Sequence, residues 1–256
     1  MMNKLYSTNK NRFIAYNIYK NNKKTTPYII FLHGLMSDMN GIKSMWLEEY
    51  CRQREYNFIR FDNFGHGQSS GTFINETIGS WLNGLELILT ELTNGHVILV
   101  GSSLGGWLAL LASLKFPEKI VGLVCIAPAP DFTEEAIWQK LPPDKQEQMQ
   151  LEGYLVVGGH NCKQKYPLSY QLISEARNHL LLNKDSIELN CPVHLIHGML
   201  DNDIPYTISQ RLLQKITTPN IVLKLIKDGD HRLSRPLDLE VITNSLSEIY
   251  NVTLKI

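Results

Sequence analysis

The chain has 256 residues, with 25 Lys and Arg against 25 Asp and Glu, so it carries no formal net charge. A surface that grips nucleic acid through its phosphates needs a basic excess, and this balance argues against that class of partner. Hydrophobic residues at 43% and charged residues at 20% exclude a disordered or collagen-like chain and suit one α/β core with a single domain.

Residues 1–37 contain no Asp or Glu but six basic residues, Lys4, Lys10, Arg12, Lys20, Lys23 and Lys24, a weak echo of a targeting segment. The stretch is rich in Asn and Lys rather than Arg and Ser, and Phe13 to Tyr19 reads as a strand, so it is expected to open the mature fold. Short β-branched runs follow at Tyr28 to Leu32, Phe58 to Phe61, Val97 to Val100, Ile120 to Ile126, Val193 to Ile196 and Ile221 to Ile226. Between them, Trp81, Leu85, Leu89 and Leu92, then Leu104, Leu108, Leu111 and Ala112, recur at helical spacing. This alternation predicts an α/β fold with a mostly parallel, doubly wound sheet.

One interval breaks the rhythm. About sixty-five residues separate Ile126 from Val193, too many for one crossover. They include Pro142-Pro143, a polar stretch from Asp144 to Gln150, Gly158-Gly159 and a helical pattern from Tyr170 to Leu182. Residues 131–190 therefore read as a cap inserted over the carboxyl edge of the sheet, between core segments 1–130 and 191–256. No apolar run reaches the roughly 18 residues of a membrane span, so no transmembrane segment is expected. Cys51, Cys125, Cys162 and Cys191 are far apart and form no C-x-x-C pair, which predicts reduced thiols rather than a zinc or disulfide framework.

Gly101-Ser102-Ser103-Leu104-Gly105 matches G-x-S-x-G with Ser103 at its centre. It follows an apolar strand and precedes a helical run, the strand-turn-helix setting that exposes a nucleophilic serine. Side chains two positions either side of such a turn would clash, and Gly101 and Gly105 remove them. The helix after Ser103 aims its free N–H groups at the reaction centre.

A serine hydroxyl needs a base, and the base an orienting acid, here in the chain order Ser, Asp, His. His231 lies just after the last strand, whereas His194 sits within a strand and His96, His160 and His179 have no motif around them. The acid should leave the preceding strand, which favours Asp201; Asp203 and Asp131 are rivals, and Asp228 and Asp230 suit turns beside the histidine. Two pre-aimed N–H donors are needed for the oxyanion. Leu104 follows the nucleophile, and Leu35 lies in the close turn His33-Gly34-Leu35; His33 itself reads as a packed strand-end residue. Asp62 to Ser69 suits a tight turn on the rim, with His66 read as structural. Trp107, Trp138 and Tyr154 are candidates to line an acyl pocket.

The chain resembles the α/β-hydrolase superfamily and, within it, the esterases and thioesterases of the abhydrolase-domain group. The resemblance runs from about Tyr28 to about Ile249. It is carried by Met39 to Lys43, Ile59 to Asp62 with Gly65, Gly67 and Ser69, and Val100 to Trp107 with its double glycine. It continues through Asn190 to Val193, His197-Gly198-Met199, Asp201, Pro205 and Asp230-His231-Arg232. It implies a serine hydrolase of acyl esters or thioesters with Ser103, Asp201 and His231 as its triad, acting without metal or cofactor on a small or acylated substrate. The member of that group that the chain resembles is mitochondrial; with no evident long presequence, the expectation here is a cytoplasmic protein. A proline-type aminopeptidase is the second enzyme reading, with Glu134, Glu135, Glu147 or Glu152 as the amine-holding carboxylate, and a non-catalytic binding module is the third.

Overall fold

The structure, a computed structural model, describes residues 2–7, 11–21, 27–158 and 165–254. Its first elements are β1 (Asn3–Tyr6), β2 (Phe13–Tyr19), β3 (Tyr28–Leu32), α1 (Ile42–Gln53), β4 (Asn57–Phe61), α2 (Ile78–Glu91), β5 (Val97–Ser102), α3 (Leu104–Lys115) and β6 (Ile120–Ile126). After them come α4 (Pro143–Glu152), β7 (Tyr154–Gly158), β8 (Lys165–Ser169), α5 (Tyr170–Ala176), β9 (Val193–Gly198), α6 (Thr207–Lys215), β10 (Ile221–Ile226) and α7 (Pro236–Thr253).

Eight strands form one sheet in the order β1-β2-β4-β3-β5-β6-β9-β10. It is parallel from β4 to β10 and antiparallel where β2 meets β1 and β4. All six β-branched runs lie in the parallel part. Successive side chains of a strand face opposite sides, so Ile30, Leu32 and Leu99 join one apolar core with α2 and α3, while Ile29, Phe31 and Ile98 join a second with α1 and α7. Two dry faces explain why these strands are apolar throughout rather than alternating. Each fully buried Ile or Leu contributes about 2 kcal/mol.

The interval between β6 and β9 leaves the sheet. It contains short irregular turns at 133–140, then α4, the separate β7-β8 hairpin and α5. Its base is clasped by Asp131, whose buried carboxylate accepts N–H groups from Leu181 at 2.8 Å and Leu182 at 2.7 Å. Burial pushes that carboxyl up, and the two amides oppose the shift. Arg211 of α6 adds a two-pronged pair with Glu135 at 2.6 and 2.9 Å. The same clasp corrects the helix expected over Tyr170 to Leu182. Leu180 turns extended at ψ 139, and the next two amides go to Asp131 instead of to helix carbonyls.

Cys51, Cys125 and Cys191 are buried free thiols; burial pushes Cys125 up to about 12 and Cys191 to about 11. Gly159, His160 and Cys162 lie outside the described residues. No described helix is long and apolar enough to cross a membrane.

Candidate active site

Ser103 connects β5 to α3 with φ 55 and ψ −117, a left-handed conformation that costs a non-glycine residue about 1–3 kcal/mol. Close packing sustains the turn. A Cβ on Gly101 would strike the Gly105 backbone, and one on Gly105 would strike the Leu32 carbonyl. The strand end, the turn and the neighbouring strand can pack this tightly because those side chains are missing. Ser102 completes β5 and is 5% exposed, whereas the Ser103 hydroxyl opens onto a cavity of about 540 Å³.

The Ser103 hydroxyl lies 3.0 Å from His231 Nε2, and His231 Nδ1 lies 2.6 Å from Asp201 Oδ2. Since a carboxylate only accepts, Nδ1 carries the hydrogen and Nε2 accepts from the hydroxyl. Asp201 is fully buried at its side chain, yet every oxygen is bonded. Oδ1 accepts from the backbone N–H groups of Asp203 at 2.9 Å and Ile204 at 2.8 Å, and Oδ2 also accepts from His197 Nε2 at 3.0 Å. Burial alone would raise this carboxyl, but the bonds from His197, His231 and Ile204 hold it well below the usual carboxylate range.

The loops after β9 and β10 meet because Leu200 donates to the Gly229 carbonyl at 2.9 Å and Met199 to that of Ile226 at 2.9 Å. Asp230 turns the chain by accepting from Arg232 and Leu233, each at 3.0 Å, while Asp228 pairs with Arg235. Lys43 of α1 donates to the Arg232 carbonyl, bracing the loop that carries His231. Of the rival acids, Asp131 serves the clasp described above, and Asp203 lines the cavity without bonding to His231.

Across Ser103, the chain after β3 comes close enough that a Cβ on Gly34 would lie 3.3 Å from the Ser103 Cβ. Leu35 and Leu104 both line the cavity beside the hydroxyl. Two histidines tie this loop to the one after β4. His33 Nε2 accepts the Asn63 N–H at 3.0 Å, and His66 Nε2 accepts the Met36 N–H at 3.3 Å. Their rings lie 5.1 Å apart, and burial lowers both to about 4, keeping them neutral acceptors at physiological pH. Asp62 accepts the Met39 N–H at 2.6 Å, and Arg60 donates to the Met39 carbonyl at 2.9 Å and to Asn40 Oδ1 at 2.7 Å.

Apolar residues dominate the cavity wall: Leu35, Phe132, Ile137, Leu141, Val157 and Tyr166 are among them. The three aromatics expected there are placed elsewhere. Trp107 is fully buried, donating its indole N–H to the His179 carbonyl at 3.2 Å and packing edge-on against Phe132. Trp138 stacks between Tyr170 and Arg177, and Tyr154 begins the β7-β8 hairpin facing solvent. The hairpin alternates inward and outward, so Val157 lines the cavity and Tyr154 does not. Sequence reasoning did not find the bond from His197 to Asp201 or the paired roles of His33 and His66; the available signal was the position of His197 at the end of β9, of His33 just after β3 and of His66 in the turn after β4.

The chain matches the alpha/beta hydrolase fold family over residues 27–155. It is 37% identical to the mitochondrial palmitoyl-protein thioesterase ABHD10 of Mus musculus over 232 residues, covering 90% of this chain and 77% of the relative. The Homo sapiens protein of the same name is 34% identical over 90% of this chain and 75% of its own. Solved structures agree: that of the mouse alpha/beta hydrolase domain-containing protein 10 superposes with a TM-score of 0.90 at 34% identity, covering 99% of both chains. A hydrolase from Agrobacterium vitis S4 gives 0.90 at 32% identity over 98% of both. These relatives overturn the expectation of a cytoplasmic protein, since the mouse and human proteins are named as mitochondrial.

Proposed function

The chain belongs to the α/β-hydrolase family and is a hydrolase of the esterase and thioesterase type; on that premise we propose that it cleaves acyl esters or thioesters through Ser103, His231 and Asp201. The observation that carries this reading is the unbroken chain of hydrogen bonds from Ser103 to His231 at 3.0 Å and on to Asp201 at 2.6 Å, opening on an apolar cavity. His231 takes the hydroxyl proton as Ser103 Oγ attacks the carbonyl carbon. The N–H groups of Leu35 and Leu104 receive the oxyanion, each worth about 3 kcal/mol in the transition state. His231 then gives its proton to the departing alcohol or thiol, leaving an acyl-serine. Water attacks that ester, His231 accepts its proton, and the carboxylic acid leaves with Ser103 restored.

The segment between β6 and β9 acts as a cap on a core of residues 1–130 and 191–256, supplying Phe132, Ile137, Leu141, Val157 and Tyr166 as an acyl-binding wall. The relatives' name, mitochondrial palmitoyl-protein thioesterase, supports acyl thioesters as substrates and a mitochondrial setting. The aminopeptidase reading gains no support: Glu134 and Glu135 are paired with Arg177 and Arg211, and neither Glu147 nor Glu152 lines the cavity. Fluorophosphonate labelling with peptide mass spectrometry tests the proposal, run beside matched ester and thioester panels of rising chain length. Label on Ser103, lost together with about 10⁴-fold or more of the activity in Ser103→Ala, is the expected result. Full turnover in that variant would end the proposal.

A further inference from the structure

The catalytic acid is held by a histidine that takes no part in the mechanism just described. His197 closes β9 four residues before Asp201, and its side chain is fully buried. Both ring nitrogens are engaged. Nδ1 lies 2.7 Å from the Ser209 hydroxyl of α6, and Nε2 lies 3.0 Å from Asp201 Oδ2 and 3.0 Å from the Ile204 carbonyl. A carbonyl and a carboxylate both accept, so Nε2 carries the hydrogen, and Nδ1 accepts a hydrogen bond from the Ser209 hydroxyl.

The location of this bond matters more than its existence. The two backbone donors on Asp201 sit on Oδ1 and anchor the carboxylate. His197 donates instead to Oδ2, the oxygen on which His231 leans. A donor there competes with His231 for the same negative charge. We propose that His197 is a positioning residue of the reaction: it fixes the Asp201 carboxylate for His231 and draws off part of the charge that steadies protonated His231. The inference rests on the reading of Ser103, His231 and Asp201 given above.

Its consequence lies in proton release. An undivided carboxylate would hold the imidazolium too firmly, and His231 would surrender its proton to the leaving group less readily. Other charged groups surround the cluster: Asp203 and Asp230 on its own loops, Arg232 beside His231, Lys43 from α1 at the Arg232 carbonyl, and Lys140 in the cavity wall. Among the described residues, the hydrogen bonds of the His197 ring go to Ser209, Asp201 and Ile204. Substituting it therefore changes the charge sharing at Oδ2 and leaves those other groups in place.

The test is the pH profile of kcat/KM on a short acyl ester for wild type, His197→Leu and His197→Gln. Leucine fills a similar volume without a donor, while glutamine returns an N–H at nearly the reach of Nε2. Removing the donor leaves more charge for His231, so His197→Leu should move the acid limb to higher pH by about half to one unit and lower kcat about tenfold. His197→Gln should return both close to wild type. If the leucine variant does not fold, His197→Asn replaces it, since its shorter amide reaches Ser209 but not Asp201. A residue that only supported the fold would reduce the yield or melting temperature and leave the acid limb in place. An unmoved limb, or a glutamine variant no better than leucine, overturns the proposal. Ser103→Ala is assayed in parallel: if it stays active the triad reading fails, and if it is dead while the limb is unmoved only the role of His197 fails.

Discussion

On one side of Ser103, the chain around the ends of β9 and β10 converges on a single carboxylate, with His197 and His231 both bonded to Asp201. On the other side, the loops after β3 and β4 meet through backbone amides, with Asn63, Met36 and Met39 donating to His33, His66 and Asp62. On the first side both bonds converge on one charge, while on the second two of the three amides end on neutral rings and one on Asp62. The proposed chemistry accounts for the difference. A base that gains and loses a proton each turnover needs a fixed counter-charge, whereas an oxyanion needs backbone dipoles aimed in advance, and a protonated imidazole could not accept the N–H groups that aim them.

Removing the charge from the first side should have the largest effect. Asp201→Asn keeps the shape but leaves His231 without its counter-charge, and kcat should fall about 10³- to 10⁴-fold in steady-state assays of the folded variant. A loss under tenfold would mean that His231 does not depend on Asp201. The second side should respond more mildly. His66→Leu leaves the Met36 N–H without its acceptor and loosens the turn bearing Leu35, so kcat should drop about 10- to 100-fold with KM little changed. An equal rise in KM would place the effect on substrate binding instead of the oxyanion.

Acid should separate the two sides by stability. His33 and His66 are lowered by burial from 6.5 to about 4, so between those values the unfolded chain binds more protons than the folded one. Stability should be full above about pH 6.5 and decline as the pH falls toward 4. The carboxylate of Asp201, held below its ordinary range, adds stability that is lost only at lower pH still. Urea titrations between pH 7 and 4 check this, and His66→Leu should flatten the slope. An unchanged slope would show that His66 takes up its proton over the same pH range in the folded and the unfolded chain.

Much of this arrangement was legible in the chain. The apolar runs marked the parallel strands because a strand covered on both faces has no polar side to show. Gly101 and Gly105 marked the turn at Ser103 because close backbone packing excludes any side chain there. Asp201 and His231, the proposed acid and base, were singled out because they follow the last two parallel strands, and the structure sets them 2.6 Å apart. The lining of the cavity was not legible: Trp107 and Trp138 are large and apolar, but their places were decided by His179, Phe132, Tyr170 and Arg177, all distant in sequence or on another element. The helix expected through Leu182 ended early because Asp131, some fifty residues upstream, takes the amides that would have continued it.

The sequence by itself determined the α/β class, the order of the strands along the chain and the strained turn at Ser103, because each depends on local backbone geometry or on period-two and period-3.6 patterns. Only the tertiary structure decided which histidine shares the Asp201 carboxylate, which two loops are tied by His33 and His66, and which residues between β6 and β9 face the cavity. Those choices depend on where side chains from separate elements converge. Convergence is set by the packing of the whole sheet and of the segment between β6 and β9, which no spacing along the chain records.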